Sequence, residues 1–221
     1  MKFLCHIAAR AGSEQACSER VASLAAQWRD QTVGEVLTIK RLTRLPGDVF
    51  GKNSSYRETL DIRGEAATPE RLAQLTEGMR NSLEDVAHPD LSTALFGTDV
   101  VFIKPDPRTT VRYQYLMRRN ASFDHVAYLK RYREIHSQFG LRLPGIKGYV
   151  QFHIDPLASR NLGRAAGLGA FGVDSVSELY LDSLESFLEG VSGSPVGAEA
   201  IADEERFVDR PNSVDFCSRL S

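Results

Sequence analysis

The chain has 221 residues, 42% apolar and 25% charged, with a formal net charge of −2. That composition is ordinary for a globular protein and leaves no electrostatic footprint for nucleic acid; the most basic stretch, Arg112 to Arg119, is interrupted by Tyr113, Tyr115, Leu116 and Met117. No run approaches the roughly 18 apolar residues of a membrane span, and Cys5, Cys17 and Cys217 are odd in number and widely spaced, pointing to free thiols in a reducing cytoplasm.

Residues 2–9 read as a strand, followed by a helix with Cys17, Val21, Leu24 and Trp28 on one face. Val36 to Leu42 predicts a second strand. Tyr56 to Arg63 predicts a half-buried third, with Glu58, Leu60 and Ile62 opposite Arg57, Thr59, Asp61 and Arg63. Thr68-Pro69 starts a helix as a cap residue followed by proline at the first helical position, and its stripe is Leu72, Leu75, Met79, Leu83 and Val86. Val100 to Ile103 gives a short closing strand. The order is β-α-β-β-α-β.

Lys104 to Arg108, with two prolines, is a natural joint. The same order then recurs. Val111 to Arg118 is a strand, Asp124 to Phe139 a helix, Gly148 to Ile154 a strand, and 160–172 a glycine-rich loop. Val176 to Leu181 is another strand, helical segments run from about Leu184 to Phe207, and Val214 to Cys217 closes the unit. Domains at 1–105 and 109–221 follow from the pattern.

Four fragments of the second half resemble the EthD family of the dimeric α+β barrel superfamily. They are Tyr128-x3-Tyr132-x3-His136, then Leu143-Pro144-Gly145-x3-Tyr149-Val150-Gln151-x-His153. Gly172-Val173-Asp174-x2-Ser177-Glu178-Leu179-Tyr180 and Asp203-Glu204-Glu205-Arg206-Phe207-Val208-Asp209 complete the set. The resemblance implies an α+β fold: tandem ferredoxin-like βαββαβ repeats closing a dimeric-α+β-barrel-like pseudo-dimer within one chain. It also implies a role in a catabolic or biosynthetic pathway, with a homodimer of such tandem chains as a possible assembly. Related barrels include haem binders, which leaves an axial histidine open.

Alternation locates a candidate site. Val150, Phe152 and Ile154 share one apolar face, expected to pack under helices, so Tyr149, Gln151 and His153 should face the barrel interior. In the next strand Ser177, Leu179 and Leu181 should face the helices and leave Glu178 and Tyr180 inside. On that reading His153 is a general acid/base, Glu178 its orienting partner and Tyr149 a hydrogen-bond donor, with Gln151, Tyr180 and His136 binding substrate. His136 could instead cap its helix. The structural alternative is a His153–Glu178 pair that merely ties two strands. Which face of Arg112 to Arg118 lines a cavity stays open.

Gly167 to Gly172 matches GxGxxG, but a strand follows it where a dinucleotide site needs a helix, and the segment reads instead as a mobile cover. No metal-ligand spacing is present. The expected activity is therefore cofactor-independent acid/base chemistry of the lyase, dehydratase, decarboxylase or isomerase type on a small aromatic or polyketide-like molecule. A non-catalytic ligand-binding accessory protein and a cofactor-free oxygenase are the alternatives.

Overall fold

The computed structural model describes residues 1–50, 54–169 and 172–220. In chain order they form β1 (Lys2–Ala8), α1 (Glu14–Gln31), β2 (Leu37–Arg44), β3 (Tyr56–Gly64), α2 (Pro69–Leu75), α3 (Met79–Leu83) and β4 (Thr93–Ile103). The second series is β5 (Val111–Met117), α4 (His125–Arg131), a π-helical turn (Tyr132–His136), α5 (Ser137–Arg142), β6 (Ile146–Ile154) and α6 (Pro156–Ala166). It ends with β7 (Ser175–Leu181), α7 (Leu184–Ser192), α8 (Pro195–Phe207) and β8 (Val214–Leu220). No helix among the described residues is long and apolar enough to cross a membrane.

The eight strands close one barrel in the order β1-β3-β2-β8-β5-β7-β6-β4, and every neighbouring pair is antiparallel. Within it, β4-β1-β3-β2 and β8-β5-β7-β6 each show the 4-1-3-2 order of a ferredoxin-like sheet, so the tandem pattern read from the sequence is present. The two joins differ. β4 and β6 pair from Gly97–Ile154 to Ile103–Tyr149, whereas β2 and β8 pair only at Leu42–Leu220, Thr43–Arg219 and Arg44–Ser218.

Several elements depart from the sequence reading. The stretch after Thr68 is two helices, because Gly78 takes a left-handed φ of 74° between them. The fourth strand begins at Thr93 rather than Val100. Most of the expected glycine-rich loop is α6. Asp155 caps it by accepting from Leu157 N and Ala158 N, Pro156 opens it, and Gly167 ends it at φ 67°. The remainder of that loop includes 170–171, which lie outside the described residues. β3 is buried on both faces rather than half-buried, as barrel closure requires.

Closure divides the core. Outside β1 and β3, Phe3, Cys5, Ile7, Leu60 and Ile62 meet Cys17, Val21, Leu24 and Trp28 of α1 in a filled layer. Inside, Leu4, Leu95, Leu116, Phe152, Ile154, Val176 and Phe216 plug one end of the barrel. The outer layer of the second half is split between two clusters, around Leu179, Leu181 and Phe187 and around Tyr128, Tyr132 and Phe207. Cys5, Cys17 and Cys217 are all buried free thiols.

Candidate functional site

The structure separates His153 from Glu178. On β7 the expected faces hold: Glu178 and Tyr180 point into the barrel. On β6 they are reversed. Phe152 and Ile154 belong to the interior plug, and Lys2 Nζ lies 4.5 Å from the centre of the Phe152 ring. Tyr149, Gln151 and His153 instead lie on the outer, helix-covered face. Gln151 Nε2 donates to Tyr132 O at 2.9 Å and to Tyr149 Oη at 2.7 Å, and Gln151 Oε1 is 3.1 Å from His153 Nε2. The His153 ring rests on Tyr132, 5.8 Å between centroids. An acid/base pair of His153 and Glu178 is thus ruled out by the sheet between them. Hydrophobicity misled here because a closed barrel buries both faces of every strand.

Inside the barrel Glu178 belongs to an ionic cluster. Lys2 Nζ is 2.5 Å from Glu178 Oε1 and 3.2 Å from Asp99; Arg112 Nη1 is 2.6 Å from Asp61 and 3.1 Å from Glu178. Arg63 binds Asp61, Asp99 and Glu178, and Tyr180 Oη donates to Glu178 Oε2 at 3.2 Å. Burial alone would raise the Glu178 carboxyl, but Arg112, Lys2 and Arg63 overcome it and hold it at about 2. A carboxylate so firmly ionised and enclosed is a poor proton donor or acceptor near neutrality. Nearby His6 is buried and driven down to about 3, chiefly by that burial.

A cavity of about 740 Å³ lies instead outside the second half, between β5, β7 and β8 and the helices α5, α7 and α8. Its apolar part is lined by Phe50, Phe139, Leu143, Leu179, Phe187 and Val191. Its polar part holds Tyr113, Tyr115, Tyr149, Ser177, His136, Glu204, Arg210 and Asp215. The open question about β5 is settled: Tyr113 and Tyr115 face this cavity, and buried Arg112 and Gln114 face the interior. Of the residues singled out in the sequence, Tyr149 and His136 line it; Gln151 and His153 stand behind Tyr149, and Tyr180 is inside the barrel.

The backbone builds the polar end. The π-helical turn ends at His136, a single-turn distortion of a kind frequent at functional sites, and brings its ring against the wall. His136 Nδ1 is 3.1 Å from Asp203 Oδ2, and Arg131 binds the other oxygen of Asp203. His136 Nε2 is 3.7 Å from Glu204 Oε1, while Arg210 Nε is 3.3 Å from Glu204 Oε2. Tyr113 Oη donates to Asp215 at 3.0 Å. The Tyr132 hydroxyl sits beside Tyr149 and Ser177 without meeting hydrogen-bond geometry. On α8 the cavity-facing positions are Gly197, Ala200, Ile201, Glu204 and Glu205, spaced i, i+3, i+4, i+7 and i+8. Two adjacent carboxylates ending an otherwise small and apolar stripe were the available sequence signal for Glu204.

Burial pushes Glu204 up to about 7, reinforced by the charges of Asp215 and Asp203 and opposed by Arg210. Burial lowers His136, with Asp203 acting against it. The Asp215 carboxyl is likewise raised, first by burial. Near neutral pH the wall therefore offers a carboxyl poised between its two forms, beside a neutral imidazole whose other nitrogen is held by Asp203. Such a pair can deliver and collect a proton without being consumed. His153, lowered to about 4 by burial and then by Arg133 and His125, stays neutral over the same range.

The closed antiparallel barrel, two ferredoxin-like sheets joined and covered by helices, is that of the dimeric α+β barrel class. An anthrone oxidase-like protein aligns over 100% of this chain and 90% of its own, with 11% identity and a TM-score of 0.64. A mutant chlorite dismutase from Candidatus Nitrospira defluvii in complex with cyanide aligns over 100% and 90%, with 11% identity and a TM-score of 0.54. At those identities the likeness is one of fold. Residues 120–211 match the family model of the EthD domain, which bears out the resemblance carried by the four motifs and covers the π-helical turn and all of α8. No curated protein matches the sequence.

Proposed function

We propose that the protein is an enzyme that takes a small, mainly apolar molecule into the outer cavity of its second half and moves a proton on it by acid/base chemistry of the lyase or isomerase type. One observation carries this reading: Glu204, titrating at about 7, faces an aromatic-walled cavity of about 740 Å³ beside an imidazole oriented by Asp203. Glu204 is assigned as general acid and base, His136 as its proton relay, and Tyr149 and Tyr113 as hydrogen-bond donors to charge developing on substrate oxygen. Phe50, Phe139 and Phe187 supply the apolar contact that favours a flat ring.

Haem does not fit these residues. His136 is the histidine in the cavity wall, and both of its nitrogens face carboxylates, with Glu204 standing against Nε2 where iron would have to approach. No step is assigned to iron.

The test needs no knowledge of the natural substrate. Exchange of the α-protons of 1-tetralone in D2O, followed by NMR, reads proton transfer directly. The protein is expected to accelerate exchange, Glu204→Gln to abolish the acceleration and His136→Gln to weaken it. Tight binding of 1-tetralone with no accelerated exchange would instead establish a carrier.

A further inference from the structure

Gln151 is buried and stands behind the cavity wall, yet its amide decides what the Tyr149 hydroxyl can do in the cavity. Its Nε2 donates to Tyr132 O at 2.9 Å and to Tyr149 Oη at 2.7 Å. A main-chain carbonyl can only accept, so Tyr132 O fixes which end of the amide faces Tyr149, without help from His153. Tyr149 Oη must then be the acceptor in its bond with Gln151. Its own proton meets no acceptor among the described residues, and even the neighbouring Tyr132 hydroxyl is without a partner. The cavity, which Tyr149 lines, is the direction left to that proton.

The orienting carbonyl belongs to the π-helical turn, where it also accepts the N–H of Ser137 five residues on. The turn that brings His136 into the wall thus carries the group that orients Gln151. The Tyr149 ring is held from two sides. It stacks on Phe102 with 5.2 Å between centroids, and Gly140 packs so close to its edge that a Cβ there would stand 2.4 Å from Cε1. A hydroxyl that accepts a hydrogen bond is polarised and donates more strongly in turn. Burial raises the Tyr149 hydroxyl first of all, and the Gln151 bond acts against that rise.

We propose that Gln151 is a positioning residue: its amide, locked by Tyr132 O, turns the Tyr149 proton into the cavity, where it meets the oxygen of an enolisable ketone. The proposal rests on the acid/base reading of the cavity and names the substrate class for it. Glu204 takes the α-proton, the C–H electron pair becomes the C=C bond of the enolate, and the oxygen gains the charge that Tyr149 meets. Return of a proton to carbon reverses the step.

Gln151→Glu keeps the shape of the side chain and reverses its polarity. A carboxyl has at most one proton where the amide has two; with Tyr132 O taking it, Tyr149 must donate to the new carboxyl instead of to the cavity. Exchange of the 1-tetralone α-protons by the full chain is expected to fall about tenfold or more, with binding little changed. In a Tyr149→Phe background Gln151→Glu should have no further effect, whereas a merely structural role would lower the rate equally in both backgrounds. The carbonyl stretch of bound 1-tetralone, read by infrared difference spectroscopy, needs no turnover. It should lie lowest in the wild-type protein and rise to one shared value in Gln151→Glu and Tyr149→Phe. That pattern of stretches without any exchange would uphold the positioning role and overturn the acid/base reading. Accelerated exchange with equal stretches, or with additive losses, would overturn the positioning role alone, and failure of 1-tetralone to bind would overturn both. If Gln151→Glu does not fold, Gln151→Met removes the same donor without adding an acid, and the same non-additivity with Tyr149→Phe is expected.

Discussion

Replacing Glu204 by Gln removes one titrating proton from the cavity wall and keeps the shape of the side chain. In the fold this carboxyl titrates at about 7, against an ordinary value of 4.5. Below 4.5 it is protonated in both folded and unfolded chains and contributes nothing to pH dependence. Between 4.5 and about 7 the fold retains a proton that the unfolded chain releases, so stability falls as pH rises, and it levels off above that range. With roughly 1.4 kcal/mol per pKa unit, the full fall is about 3 kcal/mol. The side chain is 12% exposed, so most of that cost survives solvent screening, although loss of the Arg210 contact offsets part of the gain. Glu204→Gln should therefore match the wild-type protein at pH 4 and be more stable by about 2 kcal/mol at pH 8.5. For a chain of this length that is about 4–8 °C in Tm. Thermal unfolding of both proteins from pH 4 to 9 measures it. Parallel curves across the range would refute the assignment of a raised carboxyl here, and with it the proposed acid.

Other outcomes follow from the surroundings of Tyr149, His125 and His153. A Cβ at Gly140 would stand 2.4 Å from Tyr149 Cε1, so Gly140→Ala should turn the ring, break its bond with Gln151 and cost about 1–3 kcal/mol in urea unfolding, with weaker binding of 1-tetralone. His125 Nδ1 is 2.8 Å from Asp174, and that bond raises its pKa, so its contribution to stability is present below pH 6.5 and lost as pH rises through the folded value. NMR titration of His125 should show the raised pKa, and Asp174→Asn should return it towards 6.5. His153→Ala removes a ring from behind Tyr149 rather than from the cavity, so it should lower stability by about 1 kcal/mol and leave proton exchange near the wild-type rate. Loss of exchange at full stability would move the site back to His153.

Several features were legible before any coordinates. The Thr68-Pro69 start, the stripe of Cys17, Val21, Leu24 and Trp28, and the alternation within 149–154 and 176–181 depend on contacts a few residues apart, and they survive in the fold. The π-helical turn had no such signal, although its extra residue turns Ile135 out to solvent and His136 in. α6 carried a clear one in Asp155-Pro156, outweighed by the glycines that follow.

By itself the sequence determined eight strands in two successive sets of four, a second half like EthD, and the division of each strand into two faces. Only the tertiary structure decided which face of β6 is inside. It placed His153 with the helices and Glu178 with Lys2 and Arg112, and it gathered Glu204, His136 and Tyr149 from three separate elements. The physical reason is closure. A period of two follows from local backbone geometry, but a closed barrel covered by helices withdraws both faces from water, so apolarity no longer distinguishes interior from exterior.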